Sequence, residues 1–370
     1  MTQTDELYVG LMSGTSLDGI DVVIVDLLNK PRLIAAETYS FPADLYGELL
    51  ALCRPGEDEI ERLGAADRRL GLELGTAVNT LLRDSHIPAS SIRAIGSHGQ
   101  TIRHRPPATD HPYPFTLQIG DPTSITEITG ITTIADFRRR DIAAGGHGAP
   151  LVPAFHRAVF GGARARVIVN IGGIANITAL PSNGEVSGFD TGPGNTLLDS
   201  WTRRHLTANY DRDGAWAASG NVVPELLQQF LLDPYFAATA PKSTGREYFN
   251  EAWLDRHLAG NTLTTADVQA TLTELTARTI ADTIATLPFY TNEIFICGGG
   301  AYNAYLMTRL EALLHPRMLG STELLGIAPS WVEAAAFAWL AQQTLHNKPG
   351  NEPAVTGAKA HRILGAIYPA

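Results

Sequence analysis

Two stretches of the chain share one plan. Tyr8–Leu27 (YVGLMSGTSLDGIDVVIVDL) and Ala165–Leu180 (ARVIVNIGGIANITAL) each run from an apolar segment through a small-residue turn into a second apolar segment. That pattern is strand, tight turn, strand. In the first, Ser13–Gly19 offers backbone N–H groups, hydroxyls and a carboxylate; in the second, Ile171–Asn176 (IGGIAN) is the turn. Glycine permits close approach, so either turn can cradle an anion with its amides. Either is equally an ordinary hairpin whose Gly, Ser and Asp are turn formers. Two such hairpins, each opening a half of the chain, suggest a duplicated architecture.

Between and after them, strand patterns alternate with helical ones. A long helix is expected from about Glu57 to Ser85, where Gly64, Gly71 and Gly75 weaken it or mark a close crossing. A short strand, Ile92–Gly96, leads into Ser97–Gln100, and Arg103–Pro114 reads as a proline-stiffened loop. Ser187–Asp190 ends a strand before Thr191–Asn195, and a helix follows from about Thr196 to Leu206. Asp233–Ser243 reads as a connection, Thr264–Leu287 as an amphipathic helix with a threonine cap, and Glu333–His346 as a late alanine-rich helix. Ile363–Ile367 is a candidate edge strand. A purely parallel dinucleotide fold would not need the hairpins. The opening turn lacks G-x-G-x-x-G spacing, and nothing fits G-x-x-x-x-G-K-[ST]. The division between lobes is expected near Gly130. Residues 1–130 then form the first lobe, 131–359 the second, and about 360–370 return to the first.

The chain's 370 residues, 44% of them hydrophobic, suffice for two cores. A formal charge of −10, from 28 basic and 38 acidic residues, argues against a nucleic-acid partner. Two cysteines, Cys53 and Cys297, fit a reducing compartment better than a disulfide scaffold. The histidines and cysteines show no close-spaced zinc pattern. No signal peptide and no membrane-spanning stretch is legible, so a cytoplasmic protein with no membrane partner is expected.

The motifs GLMSGTSLDGID (10–21), GSHGQ (96–100), QIGD (118–121), ADFRRRD (135–141), GGHGAP (145–150), NIGGIAN (170–176), GFDTGPGN (188–195) and CGGGAYN (297–303) stand in order along nearly the whole chain. Together they closely resemble the anhydro-N-acetylmuramic acid kinase family, within the sugar kinase, Hsp70 and actin superfamily. The resemblance implies an α/β, two-lobed actin-like ATPase fold. Each lobe is a mixed five-stranded sheet flanked by helices, with the active site in the cleft between lobes. It also implies hydrolytic opening of the 1,6-anhydro bridge of the amino sugar with phosphorylation at O6. ATP and Mg²⁺ are required, the setting is recycling of cell-wall sugar, and the expected assembly is a homodimer.

By the same resemblance Gly14, Thr15, Ser16, Leu17, Asp18, Gly19, Ile20 and Asp21 form the first phosphate turn, with Asp18 orienting Mg²⁺ through water. Gly172, Gly173 and Asn176 belong to the second turn. Gly298, Gly299, Gly300 and Asn303 form the adenosine-side loop, although the same glycines would serve a close sheet–helix contact. Asp190 is the implied general base; read alone, it is a turn or cap aspartate. Arg138 carries a fork of donors suited to the substrate's carboxylate or hydroxyls, or else pairs with Asp136, Asp141 or another acid. His98, Gln118, Asp121, His147 and Asn195 are further implied substrate contacts. Two alternatives stand beside this reading: a plain sugar or carboxylate kinase in which Asp190 deprotonates a hydroxyl, and an ATP-dependent binding protein, since this fold does not fix function.

Overall fold

The first strand, β1 (Leu7–Ser13), is buried along its whole length, so something must cover both of its faces. In this computed structural model, which describes residues 6–14, 17–107, 112–240, 242–260 and 262–370, two different layers do so. One is the long helix Glu59–Asp84, whose Leu70, Leu74 and Val78 join Val9, Leu11, Val22 and Ile24 in a single apolar cluster. The other is the alanine-rich helix Val332–Leu345, which comes from near the end of the chain. Its approach is at backbone range. A Cβ on Gly10 would overlap the Ala334 carbonyl, and one on Gly96 the Phe337 carbonyl. Gly10 and Gly96 are register partners on adjacent strands, so together they make one smooth seat for the helix.

The chain divides into two compact units, 1–159 with 331–370, and 160–330. The first holds β1, β2 (Ile20–Asp26), β3 (Arg32–Tyr39), β4 (Ile92–Arg105), β5 (Phe115–Ile119) and β6 (Thr133–Ala135). The second holds β7 (Arg166–Ile171), β8 (Ile174–Leu180), β9 (Ser187–Pro193), β10 (Glu293–Cys297) and β11 (Met318–Ser321), and β12 (Ala366–Tyr368) returns to the first. In the first unit β3–β2–β1 is antiparallel and β1–β4–β6 parallel. In the second, β9–β8–β7 is antiparallel and β7–β10–β11 parallel. The same five-strand pairing therefore occurs twice, and each copy begins with one of the two hairpins. The first sheet has seven strands rather than five, because β5 pairs with β4 and β12 with β6.

Three expectations need correction. The division lies at 159/160 and 330/331 rather than near Gly130. β6 hydrogen-bonds into the first sheet, and the alanine-rich helix packs on β1 and β4, so 131–159 and 331–370 both belong to unit 1. GSHGQ lies inside β4, which runs on to Arg105, instead of following a short strand. Only its Gly99 turns into left-handed backbone (φ 67°). Ser187–Asp190 likewise continues to Pro193 as strand. The glycines of the long helix separate by use: Gly71 and Gly75 lie against Asp121, Ser124 and Ile128, while Gly64 faces open space.

Gly96→Ala is therefore expected to lower the thermal unfolding midpoint by several degrees, because backbone must move to admit the methyl group, at a cost of about 1–3 kcal/mol. Gly47→Ala, at a helical site with nothing within 4 Å, should instead raise it slightly, by up to about 1 kcal/mol of stability. Calorimetry of the two variants checks the pair.

Candidate active site

In unit 1 the first turn is closed by the Leu17 N–H, which donates to the Gly14 carbonyl at 3.1 Å. Leu17 is in left-handed backbone (φ 59°) with its side chain in the core. That conformation is uncommon for a non-glycine residue, and burial in the surrounding cluster holds it there. The Ile20 side chain is also core, so Leu17 and Ile20 can offer only backbone to a ligand. Gly19 is required by packing, since a Cβ would stand 2.7 Å from Thr38 Cγ2. Asp18 is exposed. Asp21 accepts from Thr38 Oγ1 at 2.7 Å, and burial, with Asp18 adding its charge, holds its carboxyl above the usual value. Thr15 and Ser16 lie outside the described residues.

Arg138 and His98 form one unit of chemistry. The His98 Nδ1 lies 2.8 Å from the Gly99 carbonyl, a contact only an N–H can make, so the proton sits on Nδ1. Nε2 is then an acceptor, and Arg138 donates to it from Nε (3.1 Å) and Nη2 (2.9 Å). Burial, and then the Arg138 charge, press His98 down to about 3, leaving it neutral. Arg138 Nη1 donates to the Gly148 carbonyl at 2.8 Å. Among the described residues Arg138 makes no ion pair. Asp136 pairs with Arg139, and Asp141 accepts from the Gly148 N–H, Asn351 Nδ2 and Thr356 Oγ1. Burial lowers Arg138 to about 10, against the charges of Glu333 and Asp141, which raise it. Glu333, on the alanine-rich helix, is pushed up by burial and drawn down by Arg138. The guanidinium is thus aimed by neutral acceptors, and part of its donor fork stays uncommitted.

The remaining unit 1 candidates separate. Gln118 donates to Thr101 and Thr116 hydroxyls at 2.9 and 2.7 Å, while its buried Oε1 has no partner among the described residues. Asp121 caps the helix Pro122–Thr129, accepting from Thr123 and Ser124 N–H, and pairs with Arg68. Its carboxylate thus has a structural role as a cap and ion-pair partner. His147 is exposed, in the loop that Asp141 pins through Gly148.

In unit 2, Asn170, Asn176 and Asp190 are successive register partners across β7, β8 and β9. Asp190 is held on three sides: Tyr235 Oη donates to its carbonyl (2.8 Å), its N–H donates to the Lys242 carbonyl (3.1 Å), and the Thr244 N–H donates to Oδ2 (3.0 Å). Among the described residues Oδ1 has no hydrogen-bond partner. Burial first, with the Glu247 charge adding, raises this carboxyl to about 6, against the Thr244 hydrogen bond. A carboxylate so tuned can take a proton near neutral pH.

The second turn keeps its carbonyls occupied. Gly172 accepts from the Asn195 N–H (2.8 Å), and Gly173 from Gly194 and Thr196 (2.9 and 3.0 Å). The Asn195 side chain donates to the Ile171 carbonyl at 3.2 Å, which ties it to the end of β7. Gly298 (φ 78°) and Gly300 press on Asn170 and Ile171, which supports the packing explanation of the triple glycine; at Gly299 a Cβ would meet only Asn195 Nδ2, at 3.8 Å. Asn303 Oδ1 caps the helix Ala304–Leu314 by accepting from the Leu306 N–H at 2.9 Å.

Sequence reasoning passed over Glu333 and the whole KSTGRE segment, 242–247. The density of charge in that short segment was the available signal. The His98 geometry yields a direct test: its ring should remain neutral with the proton on Nδ1 from pH 8 down to pH 5 in nitrogen-15 NMR. A titration midpoint near 6.5, the ordinary value, would overturn the assignment.

The comparisons agree with these motifs. The family model for anhydro-N-acetylmuramic acid kinase matches residues 6–370. The anhydro-N-acetylmuramic acid kinase of Shewanella pealeana is 54% identical over 367 residues, covering 98% of each chain. That of Pseudomonas paraeruginosa is 52% identical over 365 residues, covering 98% of this chain and 99% of the other. Among solved structures, the activator of the 2-hydroxyisocaproyl-CoA dehydratase from Clostridium difficile with bound ADPNP is similar at a TM-score of 0.47 and 14% identity, covering 92% of this chain and 96% of that one. No helix among the described residues is long and apolar enough to cross a membrane. With a matched model running from residue 6 to the last residue and relatives more than half identical over the same span, the chain belongs to the anhydro-N-acetylmuramic acid kinase family.

Proposed function

We propose that Asp190 is the general base with which this ATP-dependent kinase opens 1,6-anhydro-N-acetylmuramic acid and phosphorylates it at O6. Family membership supplies the substrate and the phosphoryl donor. The observation that carries the residue assignment is the Asp190 carboxylate, with Oδ2 pinned by Thr244, Oδ1 uncommitted, and its acidity tuned to about 6.

Asp190 Oδ1 takes a proton from water as the water oxygen bonds to C1. The C1–O6 bond breaks with its electron pair on O6. O6 forms a bond to the γ-phosphorus of ATP, and the bond from that phosphorus to the ADP oxygen breaks. The products are N-acetylmuramate 6-phosphate and ADP, and the proton leaves Asp190 for solvent. In this reading the first turn and the Gly172–Gly173 turn hold phosphates with backbone amides. Arg138 meets the substrate's carboxylate or hydroxyls with the donors that His98 and Gly148 leave open, beside Gln118 and His147.

Asp18 and Asp21 fit Mg²⁺ by the chemistry of their donors: oxygen ligands close enough for the Asp18 charge to raise the Asp21 carboxyl. When bound with the nucleotide, Mg²⁺ would offset charge on the phosphates. The recycling of cell-wall sugar is the setting of this reaction. Family resemblance also supports a homodimer; light scattering that returns the mass of a single chain would refute it.

ADP release with Mg·ATP should require the anhydro sugar, and in H₂¹⁸O the label should appear at C1. Unlabelled product would indicate a plain kinase. Asp190→Asn should lower kcat by about 10²–10⁴-fold and keep ATP binding. Its thermal midpoint at pH 8 should equal or exceed that of the wild type. The carboxyl's folded value lies above its ordinary one, so its contribution to stability falls as pH rises from about 4 through 6. The neutral amide removes a charge-burial cost of up to about 3 kcal/mol while still accepting from Thr244. Turnover near wild type would sink the assignment.

The wild-type kcat/KM should fall about tenfold per pH unit below about 6, where Asp190 becomes protonated. Glu247→Gln should move that acid limb to lower pH by removing a like charge. An unmoved limb would show that Glu247 does not act on the base.

A further inference from the structure

We propose that Arg246 is the cationic residue that holds the transferring phosphoryl group at the second glycine turn. The inference deepens the kinase reading above and rests on it. Arg246 is exposed, and its guanidinium lies directly over Gly173: a Cβ built on that glycine would stand 3.2 Å from Nη2 and 3.3 Å from Nε. The turn beneath it has both glycine carbonyls occupied by the N–H groups of Gly194, Asn195 and Thr196. Each of the two carbonyls thus already accepts from the backbone of the same chain.

Nothing else in the unit claims it either. Among the described residues Arg246 makes no hydrogen bond and no ion pair. Three other arginines of the unit are committed to acids: Arg166 to Glu293, and Arg278 and Arg309 to Glu274. Lys242, four residues earlier, is spent on structure, with Nζ donating to the carbonyls of Tyr235 and Phe236 and lying 4.6 Å from the Tyr235 ring centre. A guanidinium seated on a glycine turn with its donors free fits a tetrahedral oxyanion.

The segment that carries Arg246 also holds the base. The Lys242 carbonyl and the Thr244 N–H are the two backbone groups that grip Asp190. One short stretch therefore fixes the carboxylate that activates water and presents the cation that meets charge developing on the phosphoryl oxygens. During transfer the γ-phosphorus exchanges its bond to the ADP oxygen for one to O6, and ADP keeps the electron pair. Arg246 contributes hydrogen bonds to the phosphoryl oxygens and neither gains nor loses a proton. Because that charge spreads over the oxygens in the transition state, the interaction is strongest there.

The test uses the full chain with Arg246→Met and Arg246→Lys. Arg246→Met should lower kcat by about 10²-fold or more, leave KM for the sugar within threefold, and leave the thermal midpoint and the acid limb near pH 6 unchanged. In calorimetry it should bind Mg·ADP as the wild type does and lose at least tenfold in affinity for Mg·ADP with aluminium fluoride. Arg246→Lys should restore part of both, and added guanidinium should rescue the Met variant. A kcat within threefold of wild type overturns the proposal. So does a shifted acid limb with intact aluminium fluoride binding, which would make Arg246 a positioning residue for Asp190. If the wild type itself fails to turn over the anhydro sugar, the substrate reading falls, and the aluminium fluoride comparison still decides Arg246.

Discussion

The carbonyls of Ala334 and Phe337 occupy the space where side chains of Gly10 and Gly96 would be. That backbone-on-backbone contact governs unit 1. It lets a helix from residues 332–345 lie flat on strands from residues 7–13 and 92–105, and it explains why the helix is built from alanine. The helix in turn sets Phe337 4.8 Å from the His98 ring and Glu333 within electrostatic reach of Arg138. The two glycines therefore act at a distance. They admit the helix, the helix packs on the histidine, and the neutral histidine aims the arginine.

Unit 2 solves a similar problem with a segment rather than a helix. An aspartate on the edge strand of a sheet, as Asp190 is on β9, is free to swing unless its neighbours restrain it. Here β8 lies on one side, and Tyr235, Lys242 and Thr244 fix the backbone and one carboxylate oxygen. Asp233 anchors the same segment by accepting from Tyr248 Oη and Trp253 Nε1. One carboxylate oxygen is left for chemistry, and burial sets its acidity. Rigidity and tuning thus come from the same packing.

Much of the fold was legible because its signals are local. The two hairpins, the stripe of the long helix and the glycine punctuation all follow from neighbours in sequence, and the repeated hairpin announced the repeated sheet. Asp190 and Arg138 stood out through their motifs, and the structure gives each a defined set of partners. Asp121, Asn195 and Asn303 stood out equally, yet their side chains serve caps and backbone carbonyls. A motif records that a polar residue is needed at a position. It does not say whether a ligand or a helix end needs it.

The sequence by itself determined the family, the order of elements and the residues able to carry the reaction, since these depend on local pattern and on matching motifs. Only the tertiary structure decided that residues 331–370 complete the first unit, that His98 is neutral and serves Arg138, and that segment 242–247 grips Asp190 while laying Arg246 over Gly173. These facts rest on contacts between residues far apart in the chain. They depend on shape and burial, which no local pattern encodes.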